Sequence, residues 1–338
     1  MKLLITGGAG FIGSNFVDFW LENNSTDSLI CFDLMTYAAN PITVARHQKK
    51  WGKRYEFVKG SICDEGAVEK VMKGVDIVVN FAAETHVDRS IVGPRAFVET
   101  NVLGTLTLLN AARKLGNIRF HHISTDEVFG TLPLGSEERF NADSPLQPRS
   151  PYAASKASAE HLVNAFFATY GLPVTMTNCS NNYGPYQFPE KVIPLYTIRA
   201  LQNKPIPLYG KGVAVRDFLY VEDHCSGIAT VIKNGRLGQK YAIGGGAARN
   251  TVQVAEMILD ILEKPHSLMQ FTSDRAGHDM QYLVDPEKIK RELGWKAQED
   301  FQSGIKKTID WYMNNRDWWE PIALEAESVA ENYLKAKK

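Results

Sequence analysis

Short apolar runs alternate with amphipathic stretches through the first half of the chain. The runs are KLLIT (2–6), SLICFD (28–33), YEFVKG (55–60), VDIVVNFAA (75–83) and IRFHHIS (118–124). They are almost continuously apolar, which is typical of parallel strands covered by helices on both faces. Strands that alternate with helical patterns predict βαβ units. We therefore predict an α/β fold with a Rossmann-like, doubly wound parallel sheet.

The pattern loosens from about residue 173 into Gly- and Pro-rich connections, with helices predicted near 251–264 and 301–314. We predict a sheet domain over residues 1–175, to which a segment near 216–244 returns. Residues 176–338 are predicted to form mainly a smaller C-terminal domain that covers a ligand.

One predicted helix, from about Arg95 to Lys114, is apolar almost all the way round. One face can pack on the sheet, which leaves another face to be buried elsewhere. A second copy of the chain would bury it.

Composition favours small-molecule chemistry over nucleic-acid or membrane binding. Lys+Arg and Asp+Glu both number 38, so the net charge is zero and no broad basic face is expected. Four cysteines (Cys31, Cys63, Cys179 and Cys225) lie far apart, so we predict no metal site and no disulfide framework. The glycine-broken N-terminus does not resemble a signal peptide, and no apolar run reaches the roughly 18 residues of a membrane span. We predict a cytoplasmic protein.

Glycines recur every third residue directly after the first predicted strand. Gly7, Gly10 and Gly13 lie in GGAGFIG, and a helix is predicted from about Phe11. Glycine permits the tight turn and the close approach of backbone to a pyrophosphate. Asp33 follows about twenty residues later, where a carboxylate can accept a hydrogen bond from a ribose 2′-OH. The pattern predicts a dinucleotide site, with NAD favoured over NADP; an ordinary strand-to-helix turn is the alternative.

A candidate catalytic pair lies in SPYAASKASAEHLV. Tyr152 and Lys156 are four residues apart and share one face of a predicted helix. An ammonium near a phenol lowers the phenol's pKa, which suits a base that deprotonates a hydroxyl. A surface pair that merely shares a face is the alternative.

Three polar residues follow the strand IRFHHIS: Thr125, Asp126 and Glu127. Ligands of open α/β sheets bind at this carboxyl end. Two adjacent carboxylates in a closed site repel each other, so one can keep its proton and act as an acid while the other acts as a base. A solvated turn is the alternative, and we assign no chemical role to His121 and His122.

Together these segments resemble the extended short-chain dehydrogenase/reductases of the NAD-dependent epimerase/dehydratase family, and within them the dTDP-glucose 4,6-dehydratases. The resemblance spans nearly the whole chain and rests on GGAGFIGSNF, AAETHVDRSI, STDEVFG, SPYAASKASAEHLV, NCSNNYGPYQFPEKVIPL, VRDFLYVEDH, DRAGHDMQY and TIDWYMNNRDWW. Sugar-nucleotide 4-epimerases share the glycine loop and the Tyr-Lys spacing, but they are not known for a Thr-Asp-Glu run.

The resemblance implies a lyase that converts dTDP-glucose to dTDP-4-keto-6-deoxyglucose. Tyr152 would take the C4 hydroxyl proton as NAD⁺ takes hydride from C4. Glu127 would then remove the C5 proton, Asp126 would protonate the departing C6 hydroxyl, and hydride would return to C6. NAD would stay bound in the 1–175 domain, and a homodimer is implied.

The same resemblance implies two sets of contact residues. For the cofactor they are Gly7, Gly10, Phe11, Ile12, Gly13, Asp33, Leu34, Met35, Thr36, Ser61, Ile62, Phe81, Ala82, Ala83, Thr100, Tyr152, Lys156 and Asn182. For the substrate they are Thr85, Thr125, Asn181, Lys191, Val192, Pro207, Tyr209, Arg216, Asn250, Arg275 and His278. The guanidinium forks of Arg216 and Arg275 suit a diphosphate.

The chain departs from the family pattern at three places. Ser61 stands where members often carry an aspartate that contacts adenine. Phe129 replaces the usual tyrosine, and the loop 131–149 is shorter than in many members. Base recognition rests on few contacts, so UDP-glucose or another sugar nucleotide is an alternative substrate. A non-catalytic NAD(H)-binding protein is a further alternative, but it predicts decay of the site residues, which are intact.

Overall fold

The computed structural model describes residues 1–116, 118–274 and 279–323. Its strands are β1 Lys2–Thr6, β2 Ser28–Asp33, β3 Tyr55–Lys59, β4 Ile77–Asn80, β5 Arg119–Thr125, β6 Val174–Cys179, β7 Asn181–Tyr183, β8 Ile206–Tyr209, β9 Val215–Tyr220, β10 Lys240–Ile243, β11 Ala247–Asn250 and β12 Met269–Thr272. Its α-helices are α1 Phe11–Asn23, α2 Pro41–Trp51, α3 Glu65–Val71, α4 Val87–Val92, α5 Pro94–Phe97, α6 Thr105–Lys114, α7 Pro151–Tyr170, α8 Val192–Leu201, α9 Val221–Asn234, α10 Thr251–Ile261, α11 Glu287–Leu293 and α12 Phe301–Asn314.

Seven strands form one parallel sheet in the order β10-β6-β5-β4-β1-β2-β3. Neighbouring side chains of each strand enter different cores: Leu4 packs with the cluster on one face and Leu3 with the cluster on the other. This two-sided burial explains why the strands are apolar throughout. The predicted fold class is confirmed.

The strand order reverses between β1 and β4, because β2 and β3 extend one way and β5 and β6 the other. At such a switch point the loops after the two strands diverge and leave a crevice at the carboxyl ends. The crevice is where the predicted functional residues meet.

The second half contributes two small sheets, in the orders β11-β9-β7 and β12-β8. They pack with α8, α10 and α12 around a separate apolar cluster that includes Tyr196, Ile258 and Ile305. Meanwhile β10 joins the large sheet beside β6. The domain boundary near residue 175 stays a prediction.

The segment 95–114 is helical, but it does not form one regular α-helix as predicted. It consists of α5, a π-helical stretch at Val98–Gly104, and α6. Within the π-helical stretch, the Asn101 amide accepts from the Glu84 N–H (2.9 Å) and donates to the Glu84 carbonyl (3.0 Å). It also donates to the Ser155 hydroxyl at 2.8 Å. The wider turn allows these contacts, and π-helical turns are frequent at functional sites.

Two kinds of feature are absent from the described ranges, a membrane-spanning helix and a metal-binding cluster. No helix there has both the length and the apolar character to cross a membrane. Those same residues include no group of three or more His, Cys, Asp or Glu side chains that could hold a metal ion.

Gly13→Ala is expected to destabilise the fold because α1 packs tightly on the loop after β1. A Cβ at Gly13 would lie 2.4 Å from the Gly7 carbonyl oxygen and 2.9 Å from the Gly8 Cα. Overpacking of this kind costs roughly 1–3 kcal/mol in the free energy of unfolding, which urea unfolding would measure. Gly66→Ala in α3 is the matched control, since its Cβ would meet only the Asp64 carboxylate at 3.5 Å. Equal stability of the two variants would contradict the packing argument.

Candidate active site

Two adjoining cavities occupy the crevice at the carboxyl ends of the strands. The larger, of about 330 Å³, follows the ends of β1, β2, β4 and β5. The smaller, of about 220 Å³, lies among the segment 85–88, α8, β8 and β9. The two cavities share the side chains of Thr85, Glu127, Asn181, Asn182 and Lys191, among others. The crevice is therefore continuous and can hold two ligands side by side, one in each cavity.

Backbone forms the wall of the larger cavity at the glycine loop. Gly7 has a left-handed φ of 68°, and a Cβ there would lie 2.6 Å from the Ala82 nitrogen. Gly10 caps α1 without a side chain. Phe11, Ile12 and Gly13 in the first turn also line the cavity. The positive end of the α1 dipole thus faces a space lined by backbone, which suits an anion such as a pyrophosphate.

Asp33 stands at the end of β2 and is 8% exposed. Its carboxylate accepts from the Ala9 N–H at 3.0 Å and the Met35 N–H at 2.7 Å. Burial raises its pKa, while both hydrogen bonds oppose the rise. The carboxylate is thereby fixed at the cavity wall, where it can accept from a ribose.

Most of the predicted cofactor residues line the same cavity. Those beyond the glycine loop and Asp33 are Leu34, Thr36, Ser61, Ile62, Phe81, Ala82, Ala83, Thr100, Tyr152, Lys156 and Asn182. Met35 is outside the lining and supplies its backbone N–H to Asp33 instead.

Tyr152 and Lys156 lie in the first turns of α7. Ser150 caps this helix by accepting from the Ala153 N–H at 3.1 Å, and Pro151 occupies its first position. Both side chains are buried, at 7% and 4% exposure, and both line the larger cavity. The surface alternative is therefore wrong.

The pKa of Tyr152 is raised, not lowered as the sequence predicts. Burial is the main cause, and the Glu127 carboxylate adds to the rise, while a hydrogen bond with Thr125 opposes it. The Lys156 ammonium nitrogen donates to the Ile123 carbonyl at 2.6 Å. Burial also lowers the pKa of Lys156 to about 8. Desolvation is thus the largest cause of both pKa shifts.

Thr125 ends β5, and Asp126 and Glu127 begin a 3₁₀ turn, Asp126–Phe129. The Thr125 hydroxyl accepts from the Glu127 N–H and donates to Asp126 Oδ1, both at 3.3 Å. Asp126 is 2% exposed, and its Oδ2 has no hydrogen-bond partner among the described residues. Burial, Glu127 and Asp217 hold the pKa of Asp126 well above its ordinary range, and Arg216 opposes them. Asp126 thus favours its protonated form.

The smaller cavity collects the predicted substrate residues Thr85, Asn181, Lys191, Val192, Pro207, Tyr209 and Arg216. The Arg216 guanidinium donates to the carbonyls of Val215 and Asp279, both at 2.9 Å, and lies 4.5 Å above the Tyr282 ring. These contacts hold the fork rigidly at the wall of the cavity. A diphosphate is the ligand that such a fork matches best.

Three predicted substrate residues remain, of which the structure describes one. Asn250 caps α10 by accepting from the Gln253 N–H at 2.8 Å and lies outside both linings. Arg275 and His278 lie outside the described residues.

Phe129 is also not at the cavity. It is buried in a core cluster with Val128 and Ala157, and its ring packs on Phe140. The hydroxyl that this substitution removes therefore does not come from the lining of either cavity.

Sequence reasoning missed Glu190, which lines both cavities. Its buried carboxylate accepts from the Tyr37 hydroxyl at 3.2 Å and lies 3.5 Å from the Arg89 guanidinium. A signal was present: a lone carboxylate within the apolar, Pro-rich run GPYQFPEKVIP. Nothing in that run indicates that the carboxylate would contact Tyr37 and Arg89, which are distant in the sequence.

The comparisons agree with this geometry. The family model described as GDP-mannose 4,6 dehydratase matches residues 4–308. The dTDP-glucose 4,6-dehydratase of Shigella flexneri is 48% identical, covering 95% of each chain. A crystal structure of dTDP-glucose 4,6-dehydratase from Streptomyces venezuelae, with NAD and dTDP bound, has a TM-score of 0.91. It is 46% identical and covers 95% of this chain and 100% of its own.

A UDP-glucose 4-epimerase from Thermus thermophilus, crystallised with NAD, has the same fold with a TM-score of 0.85. It is 30% identical over 93% of this chain and 100% of its own. The fold is thus shared with epimerases, whereas the identity is markedly higher to the dehydratases. The chain belongs to the dTDP-glucose 4,6-dehydratase family, within the NAD-dependent epimerases and dehydratases.

Proposed function

We propose that this protein is a lyase that converts dTDP-glucose to dTDP-4-keto-6-deoxyglucose with bound NAD. One observation carries the proposal: the Tyr152–Lys156 pair and the Thr125–Asp126–Glu127 run line the same cavity, and Glu127 also lines the adjoining one. Oxidation at a sugar hydroxyl requires only the first pair. Elimination of water next to the new ketone requires an acid and a base in addition, and the second run supplies both.

The residues present fit NAD. The glycine loop leaves a backbone cradle that a Cβ would fill, and the α1 N-terminus faces it. The fixed Asp33 carboxylate suits a ribose diol and would repel a 2′-phosphate. When bound, NAD accepts the hydride from C4 and returns it to C6.

The first proton transfer is assigned to Tyr152, with Thr125 beside it. Because burial raises the pKa of its phenol, Tyr152 holds its proton until a cationic neighbour or the bound substrate lowers that pKa. The Thr125 hydroxyl already favours the phenolate. Thr125 thus increases the share of Tyr152 in the deprotonated form that acts as base, and it can orient the C4 hydroxyl.

The elimination is assigned to the two carboxyls. A C4 ketone acidifies the C5 hydrogen, which Glu127 removes as base. Asp126 favours its protonated form and can protonate the C6 hydroxyl as it leaves. The sugar loses one water, its C6 receives hydride and its C5 takes back the proton held by Glu127, so the product is a 4-keto-6-deoxy sugar.

The substrate's diphosphate is assigned to Arg216, with Lys191 near it in the smaller cavity. We also propose that residues 1–175 bind NAD and that residues 176–338 mainly bind the sugar nucleotide. A cytoplasmic location is supported by the four cysteines, all of which are unpaired.

A homodimer is supported by exposed apolar side chains near α4 and α5. Ile91, Val92, Val98 and Leu103 are 48%, 89%, 49% and 50% exposed. Such a group favours association with a second copy. Sedimentation equilibrium is expected to give twice the chain mass of 37.8 kDa. A single-chain mass at micromolar concentration would contradict the dimer.

The proposed activity is tested by incubating the purified protein with dTDP-glucose and, separately, with UDP-glucose. Product mass and the alkaline near-UV absorbance of a 4-keto sugar are followed. Loss of one water from the dTDP sugar supports the proposal. Loss from the UDP sugar alone would keep the chemistry and overturn the base assignment, and conversion to an isomer of equal mass would indicate an epimerase.

A further inference from the structure

The loop 34–40, which connects β2 to α2, forms one wall of the larger cavity. Four of its residues line that cavity: Leu34, Thr36, Ala38 and Ala39. Tyr37 lies in the middle of the loop but outside both linings. Its side chain instead reaches the loop 184–190, which comes from the second half of the chain.

Hydrogen bonds fix both ends of the loop 34–40. At its start, the Asp33 carboxylate accepts from the Met35 N–H at 2.7 Å. At its end, the Asn40 amide donates to the Trp318 carbonyl at 3.0 Å, and the Trp318 indole N–H donates to the Thr43 hydroxyl at 2.8 Å. Asn40, Thr43 and Trp318 are all buried. The middle of the loop is therefore the part that can move while both ends stay in place.

Tyr37 joins this middle part to the loop 184–190. Its hydroxyl donates to Glu190 Oε1 at 3.2 Å, and its ring packs edge-on against Phe188 with ring centroids 5.4 Å apart. Burial and the Glu190 carboxylate raise the pKa of Tyr37, so the hydroxyl keeps the proton that it donates. The Arg89 guanidinium lies 3.6 Å from the centroid of the Tyr37 ring and 3.5 Å from Glu190 Oε2. Because Phe188 and Glu190 line the larger cavity, the contact closes its wall between the two halves of the chain.

A closed wall suits a cofactor that is regenerated within each turnover. In the proposed reaction NAD takes hydride from C4 and returns it to C6, so it need not leave between turnovers. We propose that Tyr37 is a positioning residue that latches the loop 34–40 to Glu190 and thereby slows the release of bound NAD. The inference rests on the proposed function, because it requires the larger cavity to hold NAD.

The test measures how fast bound NAD exchanges when no sugar nucleotide is present. Protein loaded with NAD is mixed with excess radiolabelled NAD, and the bound label is counted after rapid desalting. Tyr37→Phe keeps the ring that packs against Phe188 and Arg89 and removes only the hydroxyl. We expect exchange to be roughly 10-fold faster than in the parent protein, because a hydrogen bond to a charged group no longer has to break when the loop opens.

Tyr241→Phe is the matched control. The Tyr241 hydroxyl also donates to a carboxylate at 3.2 Å, that of Glu292, and both residues lie outside the two cavities. This variant should exchange NAD at the parent rate. A double-mutant cycle separates the latch from a general loosening of the fold: once Glu190→Ala has removed the acceptor, Tyr37→Phe should cause no further acceleration.

Three results would overturn the latch. They are exchange in Tyr37→Phe at or below the parent rate, an equal acceleration in Tyr241→Phe, and a full further acceleration by Tyr37→Phe in the Glu190→Ala background. In a protein that holds NAD and converts dTDP-glucose, each of these results overturns the latch and leaves the proposed function standing. A protein that binds no NAD when NAD is supplied would contradict both.

Discussion

Asp126→Asn and Glu127→Gln are each expected to lower water loss from dTDP-glucose by roughly 10²–10⁴-fold, while substrate still reduces the bound cofactor. The reason is the order of the steps: Tyr152 removes the C4 hydroxyl proton first, and the two carboxyls act only after the ketone has formed. Asn is close in shape to a protonated Asp126, so the buried site should keep its packing. The variant loses only the acidic proton.

The measurement for these variants is single-turnover stopped flow. Absorbance at the reduced-nicotinamide band reports the first half-reaction, and product mass reports the dehydration. Glu137→Gln is the matched control, because the Glu137 carboxylate is exposed on the loop 131–149 and lies outside both cavities. This variant should match the parent protein in both half-reactions. Equal loss of both half-reactions in Asp126→Asn and Glu127→Gln would mean that these carboxyls position the sugar and transfer no proton.

Tyr152→Phe is expected to lower both half-reactions together, again by roughly 10²–10⁴-fold. Without the phenol, nothing takes the C4 hydroxyl proton, so neither cofactor reduction nor dehydration can proceed. The ring itself should remain in place, since it packs edge-on against Phe97 with ring centroids 6.3 Å apart.

The matched control is Tyr170→Phe at the far end of the same helix, where the side chain is 46% exposed and stacks with Arg113. The same stopped-flow assay compares the two variants. If Tyr152→Phe reduced the cofactor at the parent rate but failed to lose water, Tyr152 would belong to the elimination and its assignment to oxidation would be wrong.

The fold and the residues of the main chemical groups could be predicted because their signals are local. A strand buried on both faces is apolar throughout. Gly7 has a φ of 68°, and Gly13 lies against the Gly7 carbonyl oxygen, so both positions favour glycine and the spacing of these glycines is visible in the sequence. The four-residue spacing of Tyr152 and Lys156 places them on one face of a predicted helix, although it leaves a surface pair as the alternative. Such features depend on residues close together in the chain.

What could not be predicted depends on contacts between distant segments. The direction of the Tyr152 pKa shift is set by burial and by Glu127, which arrives from another element. Asn250 lies in a plausible motif, yet its side chain is used to cap α10. The π-helical turn at Val98–Gly104 coincides with the bonds of Asn101 to Glu84 and Ser155. No spacing rule in the sequence indicates any of these contacts.

The measurement that tests the account most directly uses dTDP-glucose deuterated at C4, incubated with the purified protein in ordinary water. The account predicts a product that has lost one water and carries the deuterium at C6, because the hydride leaves C4 and returns to C6 within one site. A product with deuterium still at C4, or an isomer of unchanged mass, would contradict the proposed dehydration.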